Sequence, residues 1–122
     1  LVFFCFCAGN YETYLKNQFY NGKMPFFAET LGRWWGNNPV LKKQEEIDLL
    51  AIDSENAVNC ECKYTEVPFD EKDLKDLQDS ALCIKQPNKF FMIFSKNGIT
   101  SGVRKQIENN SNYSIITLED LF

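Results

Sequence analysis

A mixed α/β chain is predicted: one β-sheet, partly antiparallel and partly parallel, with helices on both faces. Three observations predict it. Five stretches of strand length and three of helical periodicity follow one another in the order α-β-β-β-α-β-α-β. The second strand, Ile47 to Ile52, is apolar on both faces, as in a strand covered from both sides. The composition suits a core: 122 residues, 44% hydrophobic, with eleven Phe, five Tyr and two Trp.

The elements follow in order. Residues 1–9, LVFFCFCAG, are too short to span a bilayer and lack a basic flank; they read as the tail of an upstream segment or as a packing element. A chain that opens on Leu1 is expected to be a piece of a longer protein. Residues 10–122 then form one domain. Asn10 to Tyr20 reads as a helix with Asn10 as N-cap and Tyr11, Leu15 and Phe19 on one face, stopped by Asn21-Gly22. Phe26 to Trp35 is strand-like, and Gly36 to Pro39 is its turn. Glu46 to Ile52 is the second strand, with Ile47, Leu49 and Ala51 on one face and Leu50 and Ile52 on the other. Asp53 to Asn56 carries turn chemistry, and Ala57 to Tyr64 is the third strand.

Asp70 caps a helix that runs to about Lys85, with Leu74, Leu77, Ala81 and Ile84 as its buried stripe. Lys89 to Ser95 is a buried strand. Ser101 to Asn109 is a short helix with Val103 and Ile107 inward, Tyr113 to Thr117 a last strand, and LEDLF a closing turn. The three early strands should form a meander, and the later β-α-β crossover should be right-handed.

Charge and cysteine usage bound the function. The net charge of −4 argues against a surface that coats nucleic acid generally, though a local basic groove is compatible with it. The absence of histidine removes Ser-His, Cys-His and His-metal chemistry. Any acid-base or metal chemistry then falls to Asp, Glu, Lys, Tyr or Cys. Five cysteines without a disulfide-framework spacing point to a reducing, cytoplasmic compartment.

The chemistry-bearing stretch is Glu45 to Tyr64. Asp48 lies on one strand and Glu61-Cys62-Lys63 on the next. Strand alternation puts Glu61 and Lys63 on one face, roughly 6.6 Å apart, and Cys60 and Cys62 on the other. Two carboxylates from neighbouring strands, Asp48 and Glu61, can share a Mg2+ (or Mn2+) ion that keeps its waters. Lys63 beside it can orient the attacking water and offset charge on a phosphate. Glu12 joins them if the first helix packs over this face. The alternative is an ion pair of Lys63 with Asp48 or Glu61 and no reaction.

Read together, Leu31-Gly32-Arg33-Trp34-Trp35-Gly36, Glu46-Ile47-Asp48, Glu61-Cys62-Lys63 and Phe94-Ser95-Lys96-Asn97-Gly98 resemble one family from about Tyr11 to Phe122. It is the domain of unknown function at the C-terminus of archaeal and bacterial P-loop (AAA-type) ATPases, within the PD-(D/E)xK, restriction-endonuclease-like superfamily. The resemblance implies the restriction-endonuclease-like fold. It implies that Asp48 is the first strand carboxylate, that Glu61 and Lys63 fill the (D/E)xK positions, and that Glu12 is the helix carboxylate. It also implies an upstream ATPase domain in the full-length chain and nucleic acid as substrate, DNA ahead of RNA. Ile47 stands where the superfamily's name has proline, and no Gln-x-x-x-Tyr follows the second strand pair, which speaks against a RecB- or Cas4-like exonuclease.

Further candidates carry plainer alternatives. Arg33 beside Trp34 and Trp35 is placed to stack on bases or hold phosphate, or else the tryptophans are core and Arg33 pairs an acid. Lys96 lies where a strand ends and a helix begins, an anion site or a plain turn. Lys72, Lys75, Lys85 and Lys89 read as a solvated face interleaved with Glu71, Asp73, Asp76 and Asp79. Cys5-x-Cys7 with Cys60-x-Cys62 is spaced too tightly for the usual structural zinc site, and Cys62 reads as core. Two functions follow: a metal-dependent nuclease domain, or a non-catalytic module of the same fold that binds nucleic acid or docks on the ATPase domain or a partner.

Overall fold

The computed structural model describes residues 28–117 together with 13, 14, 16–18, 21, 22, 24 and 26. Strands β1 (Thr30–Asn38), β2 (Lys43–Ile52), β3 (Asn56–Lys63), β4 (Asn88–Ser95) and β5 (Tyr113–Thr117) alternate in the later half with helices α1 (Glu71–Ala81) and α2 (Ser101–Ile107). The sheet order follows the chain, β1-β2-β3-β4-β5. The first three strands form the expected antiparallel meander, and β3, β4 and β5 are mutually parallel. Among the described residues no helix is long and apolar enough to cross a membrane.

Both faces of the sheet are covered because its strands carry apolar residues on both sides. On one face Leu49, Ala51, Val58, Cys60, Met92 and Phe94 cluster, and Tyr14, in helical conformation, meets Phe94 edge-on with ring centroids 6.1 Å apart. The other face holds Ile93 against Leu74 and Leu77 of α1 and Val103 and Ile107 of α2. Each fully buried large side chain here contributes roughly 1.5–3 kcal/mol.

Local chemistry sets the boundaries. Asp53 Oδ1 accepts from the amides of Glu55 (2.9 Å) and Asn56 (2.7 Å), which turns β2 into β3. Asp70 and Asp73 cap α1 reciprocally: Asp73 N–H donates to Asp70 Oδ1 at 2.9 Å, and Asp70 N–H donates to Asp73 Oδ2 at 3.0 Å. The Asn21 amide donates to the Asn17 carbonyl, and Gly22 adopts φ +68°, the expected helix stop.

Three expectations change. β1 begins four residues later than predicted and runs through Gly36 to Asn38. The turn moves to Pro39–Lys42, where Asn38 Oδ1 accepts from the amides of Val40 and Leu41, and Lys42 takes φ +55°. Gly36 serves the strand and not the turn: a Cβ there would lie 2.8 Å from the Trp34 ring. α1 stops at Ala81 and not near Lys85, because its end tightens into i→i+3 bonds from Cys83 to Ser80 and from Ile84 to Ala81. Ile84 still buries, against Ile47, Leu50 and Ala57. Likewise α2 ends at Ile107, short of Asn109.

The third change matters most. Gly32 pairs with Leu50 but Trp34 pairs with Ile47, so Asp48 and Leu49 together face Arg33 alone. This bulge in β2 shifts the side-chain phase. Ile47 therefore packs with Leu50 on the α1 face, while Leu49 and Ala51 stay on the other. The predicted first-helix stripe of Tyr11, Leu15 and Phe19, residues 1–9, and the LEDLF turn lie outside the described residues.

Candidate functional site

The bulge marks the place where the sheet divides. β2 and β3 are registered only from Leu49↔Cys60 to Ile52↔Ala57. Beyond Leu49, β2 continues toward Lys43 in register with β1 alone. Beyond Cys60, β3 continues to Lys63 in register with β4 alone. Asp48 and Glu61 are the first residues past the split, one on each arm. The Asp48 carboxylate bridges the gap: its Oδ2 accepts from the Cys62 amide at 3.0 Å, where a paired strand would offer a carbonyl.

Cys60 and Cys62 pack into the cluster on the far face, so alternation directs Glu61 and Lys63 to the α1 face, as expected. Burial drives the Cys60 thiol strongly toward its neutral form, and the Glu61 and Asp48 carboxylates push it further. Asp48, Glu61 and Lys63 are all half-buried, neither sealed from water nor fully in it.

The Lys63 ammonium ion-pairs with Asp73 Oδ2 in the first turn of α1. The Lys63 and Asp73 side chains retain 19% and 27% exposure. The Asp70 carboxyl is held below the usual range, first by the Asp73 amide and further by the Lys63 charge. The sequence reading placed Asp73 on a solvated helix face. The Asp70-x-x-Asp73 spacing signals a capping box, but the contact with Lys63 depends on where the crossover lays α1 on the sheet.

The remaining predicted residues are spread more widely. Glu12 lies outside the described residues. Arg33 is exposed on β1, opposite the bulge. Trp34 packs against the cluster of Ile47, Leu50 and Ile84, which favours the core reading for it. Lys96 follows β4; its amide donates to the Lys63 carbonyl at 3.0 Å, but its ammonium goes to Glu66 (2.7 Å) over the Tyr64 ring. That pairing lowers the Glu66 acid and raises Lys96. Lys72 and Lys75 pair with Asp76 and Asp79 one turn on, as a solvated face should. Lys89 instead turns to the carbonyls of Ile84 and Gln86.

Hard carboxylate oxygens on Asp48 and Glu61 suit Mg2+ or Mn2+ with water in the remaining positions. Among the described residues no three His, Cys, Asp or Glu side chains gather into a metal cluster, so at most two protein carboxylates from these residues would hold such an ion. Two cavities lie elsewhere: one of about 420 Å³ beside β4 and β5, and one of about 560 Å³ between α2 and β5.

Comparison with known proteins agrees with the fold. No curated protein matches the chain. A solved crystal structure, that of a protein of unknown function called AF1548, superposes with a TM-score of 0.56 at 16% identity, over 88% of this chain and 57% of that one. Identity that low speaks for the fold alone, and this chain spans little more than half of that protein. A model of a family described as archaeal and bacterial proteins of unknown function, DUF234, matches residues 6–77, more than half of the 122 residues, and the chain belongs to that family.

Proposed function

We propose that the fork between β2 and β3 is the hydrolytic centre of a nuclease-like domain of the restriction-endonuclease-like, PD-(D/E)xK type. In this reading it cleaves phosphodiester bonds in nucleic acid, DNA ahead of RNA, with Mg2+ or Mn2+. The observation that carries it is the parting of the strands at Asp48 and Glu61, which sets two acids on opposite arms of an accessible split with Lys63 beyond. Asp48 and Glu61 would hold the cation, which when bound lowers the pKa of a coordinated water and polarises a phosphoryl oxygen. Lys63 supplies positive charge toward a phosphate entering from the α1 side. Arg33 and Lys96 are the candidate backbone contacts, Lys96 after exchanging Glu66 for phosphate. Glu12 would join only if the first helix packed over the Lys63 face; Tyr14 of that helix meets Phe94 on the opposite face, so this reading leaves Glu12 out. The domain would be the C-terminal part of a P-loop ATPase in the cytoplasm; the thiols of Cys60 and Cys83, outside any disulfide, suit a reducing compartment.

One observation favours a second reading. The described partners of Asp48 and Lys63 are structural: a strand amide and a helix cap. A fork so employed serves a non-catalytic module that binds nucleic acid or docks on the ATPase domain or a partner. The test is cleavage of fluorescent single- and double-stranded DNA with Mg2+ and Mn2+, comparing wild type with Asp48→Asn, Glu61→Gln and Lys63→Ala. Metal-dependent cleavage lost in all three supports the nuclease. Binding without cleavage supports the module. Cleavage unchanged in Lys63→Ala removes Lys63 from the mechanism.

A further inference from the structure

The sequence singled out Lys63 but not the group that fixes it. Lys63 sits at the last position of β3, where a four-carbon stem leaves the ammonium free to sweep a wide volume. The structure removes that freedom. Asp73 Oδ2 takes the ammonium, and the same oxygen accepts from the Asp70 amide. The Asp73 amide in turn donates to Asp70 Oδ1. Asp73 is thus clamped on its own helix by two bonds before it meets Lys63. It sits at the N-terminus of α1, where a carboxylate is favoured by the helix dipole. A surface ion pair between two loose side chains contributes little to a fixed geometry, because both must be ordered to form it. Here one partner is already ordered by the cap, so only the lysine is restrained.

We infer that Asp73 is the positioning residue of the fork: it holds Lys63 Nζ at one point at the N-terminus of α1, ready to face an anionic group entering between β2 and β3. The inference rests on the nuclease reading for what Lys63 faces, but not for how it is held. It assigns Asp73 no contact with substrate.

Two measurements on the same chain separate these layers. The first is a proton–nitrogen NMR spectrum of the lysine ammonium groups, with Lys63 assigned by its loss in Lys63→Ala. The expected result is a resolved Lys63 signal that persists in Asp70→Ala, which cuts one bond of the cap, and broadens away in Asp73→Asn. A Lys63 signal unchanged in Asp73→Asn overturns the inference. The second is the single-turnover rate of cleavage of a fluorescent DNA duplex with Mg2+. Asp73→Asn should slow it on the order of tenfold to a hundredfold with KM unchanged, as misplacement by about an ångström does. Asp73→Glu should restore part of the rate, and Lys63→Ala/Asp73→Asn should be no slower than Lys63→Ala alone. Asp70→Ala, which cuts the bond from the Asp73 amide but leaves the Asp70 amide on Asp73 Oδ2, should slow it less than Asp73→Asn. Equal slowing by Asp70→Ala and Asp73→Asn would reduce Asp73 to a cap and overturn the inference. If wild type cleaves nothing, the nuclease reading falls, and the ammonium signal still decides whether Asp73 holds Lys63.

Discussion

Replacing Asp48 tests whether its carboxylate closes the fork. The side chain accepts from the half-buried Cys62 amide at 3.0 Å, at the point where β3 has lost β2 as a partner. A hydrogen bond to an ionised acceptor is worth about 1.5–3 kcal/mol, and an amide left without one bears the desolvation cost. Asp48 is half-exposed, so water recovers part of that, and Asp48→Ala should cost about 1–2 kcal/mol. For a domain of this size that lowers the thermal midpoint by roughly 4–8 °C. Asp48→Asn removes the same charge while keeping an oxygen acceptor, so the difference between the two variants isolates the hydrogen bond. Asp48→Asn should stay within about 1 kcal/mol of wild type. The assay is urea unfolding followed by tryptophan fluorescence, with hydrogen exchange of the Cys62 amide as a local probe. If the two variants agree to within about 0.3 kcal/mol, the carboxylate does not hold the Cys62 amide and the account of the fork is refuted.

Two more outcomes follow from the interface of α1 with α2 and from the acids. A Cβ at Gly102 would lie 2.6 Å from Glu71 Oε2, the carboxylate that accepts from the Thr100 hydroxyl. Gly102→Ala gains about 1 kcal/mol in helix propensity and loses a similar amount when Glu71 swings away, so it should be near neutral alone and stabilise by about 1 kcal/mol in Glu71→Ala. The same change in both backgrounds would show that Glu71 does not occupy that space. Asp53, Glu66 and Asp70 are each held below the ordinary carboxylate range, first by the Glu55 amide, Lys96 and the Asp73 amide respectively. Depressed acids stabilise the fold above their unfolded values, about pH 4, and that contribution is lost as pH falls through the lower folded values. Thermal midpoints should therefore be level near neutrality and drop below about pH 4, and Asp53→Asn should soften the drop. Midpoints that rise on acidification would contradict the pairing described for these acids.

The sequence by itself determined the order and kind of the described elements and most of what they bury. Period-2 and period-3.6 patterns report which face of an element is apolar, and Asp53, Asp70 and Gly22 act on their own neighbours, so their effect is written locally. Leu74, Leu77, Val103 and Ile107 could be placed inward for that reason. It also set Asp48, Glu61 and Lys63 on adjacent strands. What only the tertiary structure decided is non-local. The bulge that re-phases Ile47 against Leu49 arises from pairing with Gly32 and Trp34, more than a dozen residues away. Gly36 looked like a turn residue until the Trp34 ring was laid over it. The split that parts Asp48 from Glu61 exists because β2 follows β1 while β3 follows β4, and no window of sequence contains both pairings. The partner of Lys63 was settled by a helix crossing the sheet, which brings Asp73 beside it from ten residues on. Periodicity tells which way a side chain points; only packing tells what it meets there.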